Sequence, residues 1–107
     1  LKRILANLLE NALRYGGGTA PRVELDCNRR RAEIRVLDRG PGIPEGEREA
    51  VFQPFYRLEA SRSRDTGGSG LGLAIVRQLA DANGLQVWLE PRPGGGTLAR
   101  VRLGTSY

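Results

Sequence analysis

The chain is organised around the sequence GGSGLGL at residues 67–73, a glycine-rich loop that runs directly into a helical pattern. Residues 70–83 predict a helix, because apolar side chains recur at helical spacing and Gly84 supplies a C-terminal stop. Glycine lets backbone amides approach an anion, and a helix N-terminus adds unpaired N–H groups and a positive dipole end. The loop is therefore either a phosphate cradle or an ordinary structural turn. It matches neither the P-loop, which needs Gly-Lys-Ser/Thr, nor the dinucleotide-binding loop, which follows a strand.

A second helix is predicted over residues 1–15, where apolar residues recur at helical spacing until the glycines at 16–18 end the pattern. Its polar face carries Asn7, Asn11 and Arg14, which are spaced four and three residues apart and therefore lie on one side. Neutral amide oxygens can complete the coordination shell of Mg²⁺, although two asparagines also suit a solvated helix face. This polar face is the first candidate for a site.

Alternating apolar residues predict two β-hairpins. The first joins residues 23–27 to residues 32–36 and is expected to bury one face, and the second joins residues 85–90 to residues 97–103. Residues 45–51 are predicted as a short helix. Helices interspersed with hairpins favour an α+β fold, a two-layer α/β sandwich with helices on one face of a mixed, mostly antiparallel sheet.

The burial of four side chains is predicted from their surroundings in the sequence. Cys27 is the only cysteine and cannot form an internal disulfide, so we interpret it as a buried small hydrophobe, with nucleophilic catalysis as the alternative. Trp88 is assigned to the core. Phe52 and Phe55 suit either the core or a docking surface.

The third candidate element is the sequence DRGPGIP at residues 38–44. Asp38 stands where a predicted strand ends, and the glycines that follow it clear space beside its carboxylate. A carboxylate in this place can accept a hydrogen bond from the amino group of a purine whose ring lies over the glycines. The alternative is a tight turn in which Asp38 bonds its own backbone.

The bulk composition limits the class of protein. The 107 residues fit one domain, and 39% hydrophobic and 27% charged residues are typical of a soluble globular protein. No run of ~18 apolar residues exists to span a membrane, and no signal peptide opens the sequence. The net charge of +5 is almost entirely arginine, but residues 29–31 form the only cluster, which suits a solvated turn. A basic nucleic-acid binder is disfavoured by scattered charge and by an aromatic content of 6%.

Four motifs in the order of the chain resemble the boxes of two-component sensor histidine kinases. They are the N box (NLLENA, 7–12), the first glycine box (DRGPGI, 38–43), the F box (VFQPFYR, 51–57) and the second glycine box (GSGLGL, 68–73). The resemblance covers nearly the whole chain, and the F box is most similar to that of the porin-regulating osmosensor kinases of Gram-negative bacteria. It implies the Bergerat-type ATP-binding fold over residues 1–107, without the strand and loop that normally precede the N box.

The resemblance implies a set of residues that bind ATP: Asn7, Asn11, Arg14, Tyr15, Asp38, Gly40, Gly42, Ile43, Gly68, Ser69, Gly70, Leu71, Gly72 and Thr97. Asn11 is similar to the Mg²⁺ ligand, and Asn7 to its partner facing the phosphates. Arg57 resembles the F-box arginine that reaches the γ-phosphate and is, with Asn7, a candidate catalytic residue. Residues 57–69 correspond to the ATP lid, in which Arg62 and Arg64 suit either phosphate contact or solvation.

The resemblance also implies which part of the nucleotide several of these residues contact. Arg14 and Tyr15 match positions that touch phosphate and cover the adenine. Asp38 would accept from the adenine amino group, with Gly42 beneath the ring and Thr97 assisting through water. The glycines of the second glycine box would hold the phosphates at the start of the helix that follows.

The function implied is Mg·ATP binding and transfer of the γ-phosphate to a histidine on a separate dimerisation domain, with a response regulator downstream. The chain contains no histidine, so it cannot autophosphorylate alone. In gyrase, mismatch-repair and chaperone relatives a glutamate base takes the place of Asn7, and an asparagine cannot accept a proton, which favours transfer over hydrolysis. The neighbouring Glu10 leaves an ATP-hydrolysing enzyme as an alternative, and an ATP-sensing module without phosphotransfer is another. The domain is expected in the cytoplasm, as part of an inner-membrane sensor.

Overall fold

The computed structural model describes residues 1–15, 18, 20–27, 29–54, 56 and 72–104, with residue 15 described by its backbone. The helices are α1 (Lys2–Tyr15) and α2 (Gly72–Ala82), and the strands are β1 (Arg22–Cys27), β2 (Arg31–Leu37), β3 (Gln86–Pro91) and β4 (Thr97–Gly104). Both predicted helices and both predicted hairpins are therefore confirmed. In this part of the chain, no helix combines the length and the apolar character needed to cross a membrane.

The four strands form one sheet in the order β1-β2-β4-β3. β2 and β4 form its centre, with Ile34 opposite Val101 and Val36 opposite Ala99. β3 pairs with the other edge of β4, so that Val87 also lies beside Val101. All pairings between the described strands are antiparallel, which confirms the predicted mostly antiparallel sheet. Because side chains alternate with a period of two, these apolar residues all face the same side.

The core lies between this apolar face of the sheet and the two helices. Ile4, Leu8 and Ala12 recur every four residues along α1 and are at most 3% exposed, so they form one buried stripe. Val76 and Ala80, both 0% exposed, form the matching stripe of α2. The strand residues packed with them are Ile34, Val36, Val87, Leu89, Ala99 and Val101. This is the predicted two-layer sandwich, with both helices on one face of the sheet.

The opposite face of the sheet is charged and is centred on Glu33, which is 5% exposed. Its carboxylate accepts hydrogen bonds from three arginines, Arg35, Arg100 and Arg102. The bond from Arg35 Nε is 3.0 Å long and the bond from Arg102 Nη2 is 2.9 Å long. Burial alone raises the pKa of this carboxyl, but the hydrogen bonds from Arg102 and Arg100, with the charges of Arg100 and Arg35, hold it below its ordinary value. The buried carboxylate is therefore paired and ionised at neutral pH.

Trp88 lies on this charged face, so its assignment to the core was wrong. Val87 and Leu89 point towards the helices, and the pleat of β3 turns the residue between them to the other side. The Arg102 guanidinium stacks over the Trp88 ring at 4.8 Å from its centroid. The indole Nε1 donates to Glu90 at 2.6 Å. The position of Trp88 within the strand, rather than its hydrophobicity, decides which face it joins.

β1 departs from the predicted burial. Val23 is 46% exposed, Leu25 is 70% exposed and Cys27 is exposed. The prediction of a buried face on this strand and the interpretation of Cys27 as a buried hydrophobe were therefore wrong. The reason is topological: β1 lies at the sheet edge, whereas α1 packs over β2 and α2 over β3. An alternating pattern predicts a strand, but it does not show whether a helix covers that strand.

Residues 45–51, predicted as one short helix, instead form two 3₁₀ turns, Glu45–Glu47 and Ala50–Phe52. A run this short gains too few helical hydrogen bonds to offset nucleation, and it contains a glycine. Phe52 is 5% exposed and joins the core, which decides between the two roles considered for it. Phe55 lies outside the described residues.

Replacing Glu33 by Gln is expected to lower the free energy of unfolding by about 2 kcal/mol at pH 7, because three arginines lose a charged acceptor. The folded-state pKa of Glu33 is lowered, so the stabilisation is complete above the unfolded-state pKa of about 4.3. It is lost as the pH falls through the lower folded-state pKa. Urea denaturation at pH 7 and pH 3 measures this effect, and the variant should lose less stability than the wild type between the two.

Glu10→Gln is the matched control for this experiment. Glu10 pairs with Arg14 at 3.3 Å on an exposed helix face, where an ion pair contributes about 0.5 kcal/mol or less. Equal losses in the Glu33 and Glu10 variants would contradict a special role for the buried carboxylate.

Candidate functional site

The side chain of Asp38 fixes the loop that follows β2. Asp38 is 8% exposed, and its Oδ1 accepts hydrogen bonds from the backbone N–H of Gly40 at 2.9 Å and of Thr97 at 3.1 Å. Its own backbone N–H donates to the Thr97 carbonyl at 3.0 Å. None of the hydrogen bonds between described residues uses Oδ2. The tight turn considered from the sequence is therefore made by Oδ1, while the second carboxylate oxygen keeps its capacity to accept.

Two glycines allow this loop to lie against the turn between β3 and β4. Gly96 has φ +106°, and a Cβ at this position would lie 2.0 Å from the carbonyl oxygen of Asp38, so any side chain would force the two backbones apart. Gly42 has φ +80°, and a Cβ there would approach the Gly96 carbonyl oxygen to 3.4 Å. Ile43 is half-buried against the core, and its carbonyl accepts from Arg48 Nε at 3.2 Å. The surface beside Asp38 is thus lined by backbone and is held from both sides.

Sequence reasoning missed Arg92, which lies in the turn between β3 and β4. Its Nη1 donates to the Asp38 carbonyl at 3.3 Å. Its backbone N–H donates to the Gly96 carbonyl at 3.0 Å, which closes the turn. The two prolines and three glycines of residues 91–96 mark a turn in the sequence, but no local signal shows that an arginine in this turn reaches back to the distant Asp38 loop.

The polar face of α1 meets the start of α2. The Asn7 side-chain N–H donates to the Arg3 carbonyl at 2.9 Å. The other end of the Asn7 amide, the oxygen Oδ1, takes no part in this bond. A Cβ added to Gly72, the first residue of α2, would lie 3.9 Å from this oxygen. Asn11 is half-buried one helical turn further along α1. The structure therefore places Asn7 close to Gly72, another member of the set that the resemblance implies.

Arg14 and Glu10 engage each other on α1, with Arg14 Nη2 at 3.3 Å from Glu10 Oε1. Glu10 is exposed, and the carboxylate considered as a base is paired with Arg14. The side chain of Tyr15 is not among those described. Residues 57–71 also lie outside the described residues. They include the predicted lid, residues 57–69, and the predicted site residues Arg57, Gly68, Ser69, Gly70 and Leu71.

The described residues form two groups with different chemistry. The carboxylate of Asp38, beside a surface that Gly42 opens, suits an amino group on a planar ring. The amide oxygen of Asn7, next to the first residue of α2, and the amide of Asn11 one turn further along α1 suit a phosphate and a hard cation. Among the described residues, no group of three or more His, Cys, Asp or Glu side chains could hold a metal ion.

Comparisons with known proteins confirm the predicted family and fold. The family model described as histidine kinase-, DNA gyrase B-, and HSP90-like ATPase matches residues 1–106. Sensor protein RstB of Escherichia coli is 48% identical over 96 residues, which are 90% of this chain and 22% of RstB. The chain thus spans about a fifth of the length of that relative.

Two solved structures share the fold. The histidine kinase domain of the E. coli osmosensor EnvZ matches with a TM-score of 0.66 and 37% identity, over 99% of this chain and 64% of that chain. Histidine kinase ThkA, solved in complex with the response regulator protein TrrA, matches with a TM-score of 0.77 and 26% identity, over 98% of this chain and 28% of that chain.

Gly96→Ala is expected to lower the free energy of unfolding by more than Gly95→Ala. Both glycines have similar positive φ angles, +106° and +110°, so both variants carry backbone strain of about 1–3 kcal/mol. Only the Cβ at position 96 would collide with the Asp38 carbonyl, because nothing lies within 4 Å of a Cβ at position 95. Urea denaturation of the two variants isolates the collision, and equal losses would contradict the close approach.

Proposed function

The chain belongs to the family of histidine kinase-, DNA gyrase B- and HSP90-like ATPases, and from this membership we propose that it binds Mg·ATP and supplies the γ-phosphate for phosphorylation of a histidine. The acceptor histidine belongs to a separate dimerisation domain of the same full-length kinase, since this chain contains no histidine. The phosphate then passes to a response regulator, and the complex of ThkA with TrrA supports a partner of this kind.

The observation that carries the proposal is the state of the Asp38 carboxylate. Oδ1 is bonded by the N–H groups of Gly40 and Thr97, so the loop is already in place before a ligand arrives. Oδ2 then accepts from the adenine amino group, with Gly42 beneath the ring and Thr97 beside it. Preorganisation matters because a loop that is ordered only on binding would subtract its ordering entropy from the affinity.

The phosphate end of ATP is assigned to α1 and the start of α2. Asn11 contributes a ligand to Mg²⁺, a hard cation that is also coordinated by phosphate oxygens and by several waters. Asn7 faces the phosphates. The backbone N–H groups of residues 68–72 hold the phosphates at the positive end of α2. Arg14 and Arg57 add positive charge, while Tyr15 and Ile43 line the adenine side.

The identity of residue 7 favours transfer to a protein over hydrolysis. A glutamate at this place could take a proton from an attacking water, whereas the Asn7 amide cannot. The hydrogen bond from Asn7 to the Arg3 carbonyl fixes which end of the amide is available. Transfer needs mainly positioning and charge stabilisation, which this site offers. The proposed setting is the cytoplasmic part of an inner-membrane sensor protein.

Asp38→Asn is expected to weaken Mg·ATP binding about 10- to 100-fold, because the charged acceptor for the adenine amino group becomes a neutral amide. The amide oxygen can still accept from Gly40 and Thr97, so the variant should remain folded. Titration calorimetry measures the affinity, and circular dichroism checks the fold.

The matched control is Asp81→Asn, which makes the same change at an exposed position near the C-terminal end of α2. Its affinity should equal that of the wild type. Tight Mg·ATP binding by a folded Asp38→Asn chain would contradict the adenine assignment.

Asn11→Ala is expected to reduce Mg²⁺-dependent binding of ATP by about tenfold, while binding in EDTA changes little. With a purified acceptor domain that carries the histidine, transfer of label from [γ-³²P]ATP should fall at least as far. Asn83→Ala is the control, because Asn83 donates to the Leu79 carbonyl at the other end of α2. An unchanged Mg²⁺ requirement in the Asn11 variant would overturn its role as a ligand.

A further inference from the structure

The two 3₁₀ turns connect the Asp38 loop to the residues before the glycine-rich loop, and we call residues 45–53 the 3₁₀ segment. Among the described residues, its backbone hydrogen bonds beyond the strands and helices are all local: they run from Glu47 to Pro44, Arg48 to Glu45, Phe52 to Glu49, Gln53 to Ala50 and Tyr56 to Gln53. Its position against the rest of the domain therefore depends on side chains. Val51 and Phe52 supply the apolar part of that contact, since both are buried.

Arg77 of α2 supplies a second, polar contact to the same segment. Its guanidinium carbon stacks over the Phe52 ring at 4.1 Å from the centroid. Its Nη1 donates to Glu49 Oε1 at 2.6 Å, and its Nη2 reaches the carbonyl oxygen of Val87 on β3 at 3.5 Å. One side chain thus joins α2, the 3₁₀ segment and the sheet.

The three contacts of Arg77 differ in strength. The Glu49 side chain is 77% exposed, so its ion pair with Arg77 contributes little to stability. The hydrogen bond from Arg77 nevertheless holds the pKa of Glu49 below its ordinary value. The stack on Phe52 is stronger, because that ring is almost withdrawn from water. The buried Arg77 Nε has no hydrogen-bond partner among the described residues, which is a cost. An apolar side chain would avoid this cost, so packing alone does not account for an arginine here.

Arg77 also lies close to the proposed phosphate site. It follows Gly72, the first residue of α2, by five residues, which is about 7.5 Å along the helix axis. A hydrogen-bonded helix moves as a rigid body over this distance. Any shift of the start of α2 towards a phosphate therefore displaces the guanidinium, and with it the Phe52 ring.

We propose that Arg77 is a positioning residue that ties the 3₁₀ segment to α2, so that nucleotide binding at the start of α2 orders this segment. The inference rests on the proposed function, because it takes the start of α2 as the phosphate site. Arg77 touches neither the nucleotide nor the metal. Through Arg77, residues 45–53 take one fixed position when the domain has bound nucleotide.

Hydrogen exchange measured by mass spectrometry tests this coupling on the whole chain, with and without saturating Mg·AMP-PNP, a non-hydrolysable ATP analogue. In the wild type, the nucleotide should slow exchange in peptides that contain the Phe52 and Gln53 amides by about fivefold or more. In Arg77→Met, which keeps an unbranched stem without the charge, the nucleotide affinity should stay within about threefold of wild type while the slowing disappears. Arg77→Lys should restore part of it, since the charge remains and the planar stack is lost.

Arg22→Met is the matched control, because Arg22 pairs with Glu24 at 3.1 Å on the edge strand and does not contact α2. It should leave the slowing intact. Should Arg77→Met fail to fold in a thermal melt, Phe52→Leu replaces it, since this change removes the ring and keeps an apolar side chain in the core. That variant too should bind nucleotide and lose the slowing.

The outcomes separate the two proposals. A wild-type chain that is folded but does not bind the nucleotide would overturn the proposed function and the inference that rests on it. Binding without slower exchange in residues 48–54, or slowing that persists in Arg77→Met, would overturn the role of Arg77 alone.

Discussion

The contact on which the site depends is the pair of hydrogen bonds that Asp38 Oδ1 accepts from Gly40 and Thr97. It ties the end of β2 to the start of β4, and it requires the turn between β3 and β4 to approach so closely that only glycine fits at position 96. Arg92 adds a bond to the same backbone. The Asp38 loop is therefore an extension of the central strand pair, and none of the bonds between described residues uses the other carboxylate oxygen.

The two faces of the sheet serve different purposes. One face packs α1 and α2, which sets Asn7 beside the first residue of α2, where the phosphates are proposed to bind. The other face has no helix among the described residues and is built on Glu33 and its arginines. A charged network on an open face keeps β2 and β4 paired at their centre, from which the Asp38 loop extends.

Much of the fold follows from local patterns, whereas the errors concern relations between distant elements. The hydrophobic periodicity and the glycine and proline residues between the elements located both helices and both hairpins, because those signals depend on neighbouring residues. The exposure of Leu25 and Cys27 depends on which strands the helices cover, and the side on which Trp88 lies depends on strand register. Both are tertiary properties that composition does not carry. At the site, the four motifs found in the order of the chain singled out Asp38 and Asn7. The hydrogen bond from Arg92 to the Asp38 loop joins residues far apart in the sequence, so no local signal predicts it.

In the proposed function, one Mg·ATP molecule occupies the surface between the Asp38 loop, the polar face of α1 and the start of α2. The most direct measurement is a titration of the ¹⁵N-labelled chain with Mg·ATP, followed by NMR. We expect saturable shifts of the Gly40, Gly42 and Thr97 amides and of the side-chain amide of Asn11. A folded chain with no shift at these positions, or with saturable shifts confined to the arginines at 29–31, would contradict the proposed function.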